Sequence, residues 1–451
     1  MFAIAEKYEQ IKIALSEILQ ALDKLSKLSE IEVNGLKYRL EFFVGSDLKF
    51  LAILYGINGA NSHRPCIWCY CHKTKFAKYE LIWSITKTKH GARTLSKARI
   101  FSKRNGKLSK TTTSIKKSRD KLSLRQKTSI KKKSELEKNS GNKFGHKNEP
   151  LIDFVDFPNV VVDLLHLLIR VTGRLMELLI NDLIVIDKND SQDLEKRPAF
   201  KEFVNFLENT LKFSNPTYNE TLKGGKKIIK FRSFNGNERL AMVKEFNLNL
   251  NNIDSINEEK IKKIKFIWNS FYELFQAVSY YHIQPNFALT SFDGNKLFFP
   301  KQQIGTKLRL WLKFFLTVYQ SKSVTPYMHI FSIHVAEMLL LHNDISSFNG
   351  QGIEALNKKV LRSYHCSTNK HVKNKSWLKQ TLDNRSRKEF FFLNGWEKEL
   401  DNNYASYTID ELDFGYQEFN CELVDIDNNQ LQEVIKRIDT EENLINMPTI
   451  I

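Results

Sequence analysis

Apolar positions along the chain change period, and the change orders its elements. Residues 1–6, Met-Phe-Ala-Ile-Ala-Glu, read as a short buried strand ending in an acid, after which Ile11, Leu15, Ile18, Leu19, Leu22 and Leu25 recur at helical spacing. Residues 31–33 and 36–44 flank Asn34-Gly35, a two-residue hairpin signal, and Leu36, Tyr38, Leu40, Phe42 and Val44 alternate with Lys37, Arg39 and Glu41. That alternation predicts a hairpin with one face half-buried. A helix over 47–57 leads into a cysteine cluster. Beyond residue 150 the helical period dominates, with helices expected over 159–185, 197–213, 238–246, 258–282 and 305–320. Strands early and helices late make the class α+β, and no internal repeat is present.

Charge changes this picture in one place. The chain has 451 residues and a formal charge of +18, and residues 101–150 hold sixteen Lys/Arg against four acids, which is two thirds of the excess. The stretch is rich in Ser, Thr, Asn and Gly and poor in large apolar residues, so it cannot bury enough surface to offset its ordering entropy. We expect a disordered basic insertion in which Lys116, Lys117, Arg119, Lys131, Lys132 and Lys133 offer contacts to nucleic acid or a nuclear-import signal; a solvated loop with neither role is the bland alternative. The other residues carry only about a third of the charge. The last fifty turn acidic and Asn-rich, as expected of a loosely ordered tail.

The best candidate for a membrane span, 159–185, is interrupted by Asp163, His166, Arg170, Arg174 and Glu177, which excludes a spanning helix there. The N-terminus lacks the layout of a secretory signal, and five unevenly spaced Cys make a poor disulfide framework, so a reducing, intracellular setting is expected.

The chemistry-bearing residues are few. Pro65-Cys66-Ile67-Trp68-Cys69 is a C-x2-C turn that places two thiolates as half of a tetrahedral zinc shell. Cys71 and His72 lie too close in sequence to wrap the other half. His329 and His334, with four residues between them, fall in the usual range for a histidine pair and near one helix face. Alternatively, both cysteines are small buried hydrophobes and both histidines satisfied core groups. Asp163 and His166, three apart, share a helix face; a buried hydrogen-bonded pair is favoured there over a catalytic one.

The order of these blocks resembles the catalytic core of the V(D)J recombinase's large subunit and its relatives, the Transib transposases. Four blocks carry the resemblance: Ala5-Glu6 with the following helix and Asn34-Gly35 hairpin; Cys66–Cys69 followed by Trp83-Ser84-Ile85-Thr86; Asp163-Leu164-Leu165-His166; and Val324-Thr325-Pro326-Tyr327-Met328-His329 through His334 to Glu354. Phe234-Asn235-Gly236-Asn237 also fits, and together they span about residues 1–370. The resemblance implies a partial RNase H-like core interrupted by a large, mainly helical zinc-binding insertion. On that basis 1–58 would hold partial RNase H-like strands and helices, 59–100 the Cys half of the zinc region, 101–150 the basic insertion and 151–345 the helical insertion with the His half. Residues 346–370 would hold the helix with the last acid, and 371–451 a basic, then acidic tail.

The resemblance also implies that Cys66, Cys69, His329 and His334 bind one structural Zn2+, whose ligand atoms should converge within about 4 Å of one another. The family joins and cuts DNA strands with three carboxylates that hold two Mg2+ or Mn2+ ions. Glu354 falls at the last carboxylate and Glu6 at the second, where the family usually has Asp; Glu reaches about 1.5 Å further, one C–C bond. No residue of the sequence falls at the first. The expected function is therefore that of a transposase-derived, nuclear DNA-binding protein, a homodimer by family resemblance, whose catalytic set Glu6 and Glu354 is vestigial. The alternative is a non-catalytic, zinc-stabilised helical scaffold, with Glu354 a solvated acid opening a helix and Glu6 an acid favoured by a helix dipole.

Overall fold

The computed structural model describes residues 8–28, 30–102, 144–187, 196–213, 216–223, 226–246, 258–348 and 350, all within one compact unit, residues 1–359. Glu6, Glu354, the lysines and arginine at 116–133 and the tail after 350 lie outside the described residues, as does nearly all of the basic insertion. Among the described residues no helix is long and apolar enough to cross a membrane.

Two short helices, α1 (Tyr8–Ala14) and α2 (Ser16–Ser26), open the described chain where one was expected, separated at Leu15. Strands β1 (Glu30–Val33) and β2 (Leu36–Arg39) form the expected hairpin, with Asn34 and Gly35 both at positive φ. Its burial differs from expectation. Leu36 and Tyr38 are 60% and 48% exposed, because every residue of β2 is open to solvent.

Of the alternating apolar positions Leu40, Phe42 and Val44 only Val44 is in a strand, the separate β3 (Val44–Ser46), which pairs in parallel with β4 (Val160–Val162) in the register Val44–Val160 to Ser46–Val162. The helix expected from 159 starts only at α4 (Leu164–Asp187). Three successive β-branched valines after Pro158 favour the extended strand, and Asp163 stops it by accepting from Leu165 N at 3.0 Å. All three valines of β4 are buried, each worth about 1.5–3 kcal/mol by area. Asp47 likewise ends β3 and caps α3 (Leu48–Leu54), accepting from Lys49 N and Phe50 N.

The helical layer follows the predicted periodicity. It comprises α4, α5 (Pro198–Asn205), α6 (Gly236–Lys244), α7 (Glu258–Ser279) and α8 (Ile304–Val318). Leu167, Val171, Leu175 and Leu179 of α4 line the same core as Ile264, Ile267, Phe271 and Leu274 of α7, and Trp311 Nε1 of α8 donates to Ile267 O at 3.1 Å. Asn235 and Glu238 close a capping box at the start of α6. Two hairpins punctuate the layer, β5–β6 (Tyr218–Lys223, Lys226–Phe231) and β7–β8 (Asn286–Thr290, Lys296–Pro300). The last described elements are α9 (Pro326–His329), a π turn (Ile330–His334) and α10 (Val335–His342).

Candidate metal centre

The cysteine turn is held from three sides. Trp68 Nε1 donates to Val160 O at 2.7 Å, which fixes the turn to the start of β4. Cys69 bridges Ala92, and Arg93 N donates to Trp68 O at 2.8 Å. The Arg93 side chain, 1% exposed, then donates from Nε to Cys66 O, from one terminal nitrogen to Phe144 O and from the other to Arg64 O, with its guanidinium over the Tyr70 ring. No carboxylate is among these partners. The buried cation is met instead by carbonyl dipoles and by His146 Nε2 at 2.9 Å. Burial and the Arg93 charge push His146 down to about 2, so its imidazole is neutral and able to accept.

The histidine pair depends on the π turn. Five positions apart in a regular α-helix, two side chains are offset by about 140° around the axis and do not share a face. The π turn over Ile330–His334 removes most of that offset, and the two rings lie 4.9 Å apart, edge to face. The spacing alone therefore does not place both imidazoles together; the local winding does.

Cys66, Cys69, His329 and His334 converge. One ligand atom from each lies within 4.8 Å of the others, and all four residues are buried. Cys69 Sγ is 3.5 Å from His329 Nε2 and 3.3 Å from His334 Nε2. Ordinary zinc bond lengths at tetrahedral angles put sulfur–nitrogen edges at about 3.6 Å, so these pairs fit; the widest pair exceeds the expected convergence of about 4 Å.

The donor set suits a soft dication. Burial, then Cys69, push the Cys66 thiol well up, burial raises the Cys69 thiol, and burial with His334 holds His329 well below the usual imidazole range. Two thiolates would balance a divalent ion, making the buried cluster electrically neutral, whereas any carboxylate-preferring hard ion lacks oxygen ligands here. With all four positions supplied by protein, an ion held here would leave no open position, the arrangement of closed sites rather than catalytic ones. Nδ1 of His329 and of His334 are buried without a hydrogen-bond partner, so packing orients the rings: Phe76 stacks on His329 at 4.4 Å, and Trp68 lies 6.4 Å from His334. Cys71 and His72 stay outside the cluster. His72 instead caps the 3₁₀ turn Lys73–Lys75, accepting from Thr74 N.

A second tie joins the same two halves. The Glu337 carboxylate accepts from Ser84 Oγ at 2.6 Å, Ile85 N at 2.8 Å and Thr86 Oγ1 at 2.8 Å. This explains the structural use of Trp83-Ser84-Ile85-Thr86.

The strand ends hold acids that sequence reasoning did not single out together. Ser46 and Val162 are register partners, so Asp47 and Asp163, which follow them, sit at the same carboxyl edge of the parallel pair. Asp163 is 1% exposed and bonds His166 Nδ1 through Oδ2, while Oδ1 accepts from Leu165 N and from Gly350 N at 2.8 Å. Burial alone would raise its pKa, yet these donors outweigh burial and hold it below the ordinary carboxylate value. The expected hydrogen-bonded pair is thus present, with the chain at Gly350 tied to it. A Cβ at Gly350 would come within 2.6 Å of Asp163 Oδ2, so only glycine allows that approach. Tyr327 belongs to this edge as well: its hydroxyl accepts from Leu48 N at 3.2 Å and is pushed up to about 12, chiefly by burial, with Asp47 and Asp163 adding to the rise. Among the described residues the Cys2His2 group is the one cluster of three or more such side chains that could hold a metal.

No protein-family model and no curated protein matches this chain.

Proposed function

We propose that the chain is a DNA-binding core of the V(D)J recombinase and Transib kind, held together by one structural zinc, which does not cut DNA on its own. The observation that carries this reading is the meeting of Cys66 and Cys69 with His329 and His334 across 260 residues, the pairing that the resemblance requires. When bound, Zn2+ would be held by these four residues and would supply folding free energy, not chemistry. The cysteine turn brings Arg93 and the β4 edge; the histidine segment brings Tyr327 and Glu337.

The non-cutting part of the proposal rests on the strand-end acids. Two-metal phosphoryl chemistry needs ligands that grip ions about 3.5–4 Å apart. Asp163 commits its oxygens to three donors, and Asp47 commits Oδ1 to two backbone N–H groups. Asp47 nevertheless competes with Glu6 for the second-carboxylate role, since it has the family's shorter side chain and ends a strand. Those committed carboxylates are also what a zinc-stapled scaffold without DNA chemistry would show, the second reading. Purified chain should bind a labelled duplex with strongly salt-dependent affinity and give no nicking of supercoiled plasmid in Mn2+ above an Asp47→Asn control. Absence of DNA binding would leave the scaffold; Asp47-dependent nicking would mean a working nuclease.

A further inference from the structure

The module around the cysteine turn is itself basic. Residues 60–102 contain Arg64, Lys73, Lys75, Lys78, Lys87, Lys89, Arg93, Lys97 and Arg99 against a single acid, Glu80. Arg93 is spent internally and Arg99 pairs with Asp153. Lys73, Lys75 and Lys78 are exposed, and among the described residues none of them pairs with a carboxylate.

Their display is fixed by the fold beneath them. Lys73 N donates to His63 O, Lys75 N to His72 O and Lys78 N to Lys75 O, a run of tight turns that fixes the backbone carrying the three lysines. Between them Phe76 and Ala77 face inward, Phe76 stacking on His329 of the metal centre. Lys73 and Lys75 follow His72, whose ring stacks on His63 at 5.2 Å and feels both charges. The imidazole is held down by partial burial and then by Arg64, His63, Lys73 and Lys75, as expected where cations crowd without a counter-ion.

We propose that Lys73, Lys75 and Lys78 form a phosphate-backbone contact surface for duplex DNA, carried on the zinc turn and separate from the basic stretch at 116–133. The proposal rests on the DNA-binding reading and assigns it a face. Lysines are compact point charges without the planar fork that reads bases, so the contact is to backbone and independent of sequence. A rigid platform matters here, because side chains already displayed on fixed backbone lose less entropy on binding than a free basic loop does.

The test compares the full chain with the K73Q/K75Q/K78Q variant, using fluorescence anisotropy of a random-sequence duplex from 50 to 300 mM NaCl. A control, K262Q/K296Q/K322Q, removes the same charge from exposed sites elsewhere. Each lost phosphate contact lowers the slope of log affinity against log salt by about 0.9, so the K73Q/K75Q/K78Q variant should lose about 2–3 in slope and roughly tenfold to a hundredfold in affinity at 100 mM. The control should lose much less, and both variants should keep wild-type zinc content and melting temperature. Equal slopes for wild type and the K73Q/K75Q/K78Q variant would overturn the surface while leaving DNA binding intact. Equal losses in both variants would show that net charge alone matters, which also overturns it. No binding by wild type at 50 mM would instead remove the DNA-binding reading itself. Lysine-dependent binding to anionic vesicles with unchanged DNA affinity would assign the face to a membrane surface and refute the proposal.

Discussion

Replacing Cys69 by Ala should release the metal, and the structure sets the size of the effect. Cys69 Sγ lies near both imidazoles, at 3.5 and 3.3 Å, so its loss leaves three ligands and removes all the tetrahedral edges that meet at that sulfur. A cross-link closing a loop of 260 residues stabilises by at most about 5–6 kcal/mol through the unfolded chain's entropy. Much of that is not lost here, because the Glu337 contacts to Ser84, Ile85 and Thr86 close nearly the same loop a second time. Zinc at a hundred times its dissociation constant contributes about 2.7 kcal/mol by mass action, which is the better guide. At about 2–4 °C per kcal/mol for a domain of this order, melting should fall by roughly 5–11 °C. Differential scanning calorimetry with zinc measured by mass spectrometry reads both effects, and a chelator supplies the internal control. Stripped of metal, wild type and Cys69→Ala should melt within about 1 kcal/mol of each other, since what remains is the loss of one small buried group. Cys71→Ala should keep its zinc. A Cys69→Ala protein that retains one zinc per chain and the wild-type melting temperature would refute the ligand set, as would equal zinc loss from Cys71→Ala.

Three further outcomes are expected. Replacing residues 103–143 by a short Gly-Ser linker should leave melting within a few degrees of wild type by calorimetry, because Phe101 and Phe144 already stack at 4.1 Å and hold the two ends together; a collapse of the transition would show that the insertion builds the core. Glu337→Gln should cost about 2–3 kcal/mol in urea unfolding, the worth of hydrogen bonds to a charged group, while zinc stoichiometry stays at one. Asp163→Asn should cost about 3 kcal/mol at pH 7, since it leaves His166 and buried amides facing a neutral group. The folded pKa of Asp163 lies below its unfolded value, so its contribution is complete above about pH 4 and fades as pH falls through the folded value; the gap between variant and wild type should close in acid, and a gap constant down to pH 2 would refute the linkage.

What could be read from the sequence follows from how local each signal is. The helical layer was legible because apolar positions such as Leu167, Val171 and Leu175 repeat at the period of one face. The four metal ligands were legible as two short motifs, but their convergence was not, since the π turn that aligns His329 with His334 leaves no mark in spacing. The parallel pairing of β3 with β4 was hidden by length: three residues cannot show alternation, and Val160–Val162 runs into the apolar face of α4. Two hairpins carry local turn signals, Gly224-Gly225 between β5 and β6 and Asp293-Gly294 between β7 and β8, with Gly294 at φ 88°. In the β1–β2 hairpin Asn34-Gly35 specifies the turn, but the alternation of β2 does not specify its burial, because alternation records an amphipathic strand and not whether anything covers it. Nothing in the sequence marks Arg93, whose partners are three backbone carbonyls, His146 and the Tyr70 ring.

The candidate metal centre and the strand-end acids share mechanical elements, so an ion held by the four ligands would have a reach beyond them. The cysteine turn is bonded through Trp68 to Val160, three residues before Asp163 on the same strand and turn. The histidine segment is bonded through Tyr327 to Leu48, the residue after Asp47. One half of the candidate metal site is therefore bonded to the first residue of β4, the strand that leads into Asp163, and the other to the residue that follows Asp47, each by a hydrogen bond of about three ångströms. Closing the four ligands on an ion would draw the two halves together, and the register of β3 on β4 fixes the strands that they contact. An acid edge positioned this way does not need its own metal to be ordered, which fits carboxylates committed to backbone N–H groups and to His166.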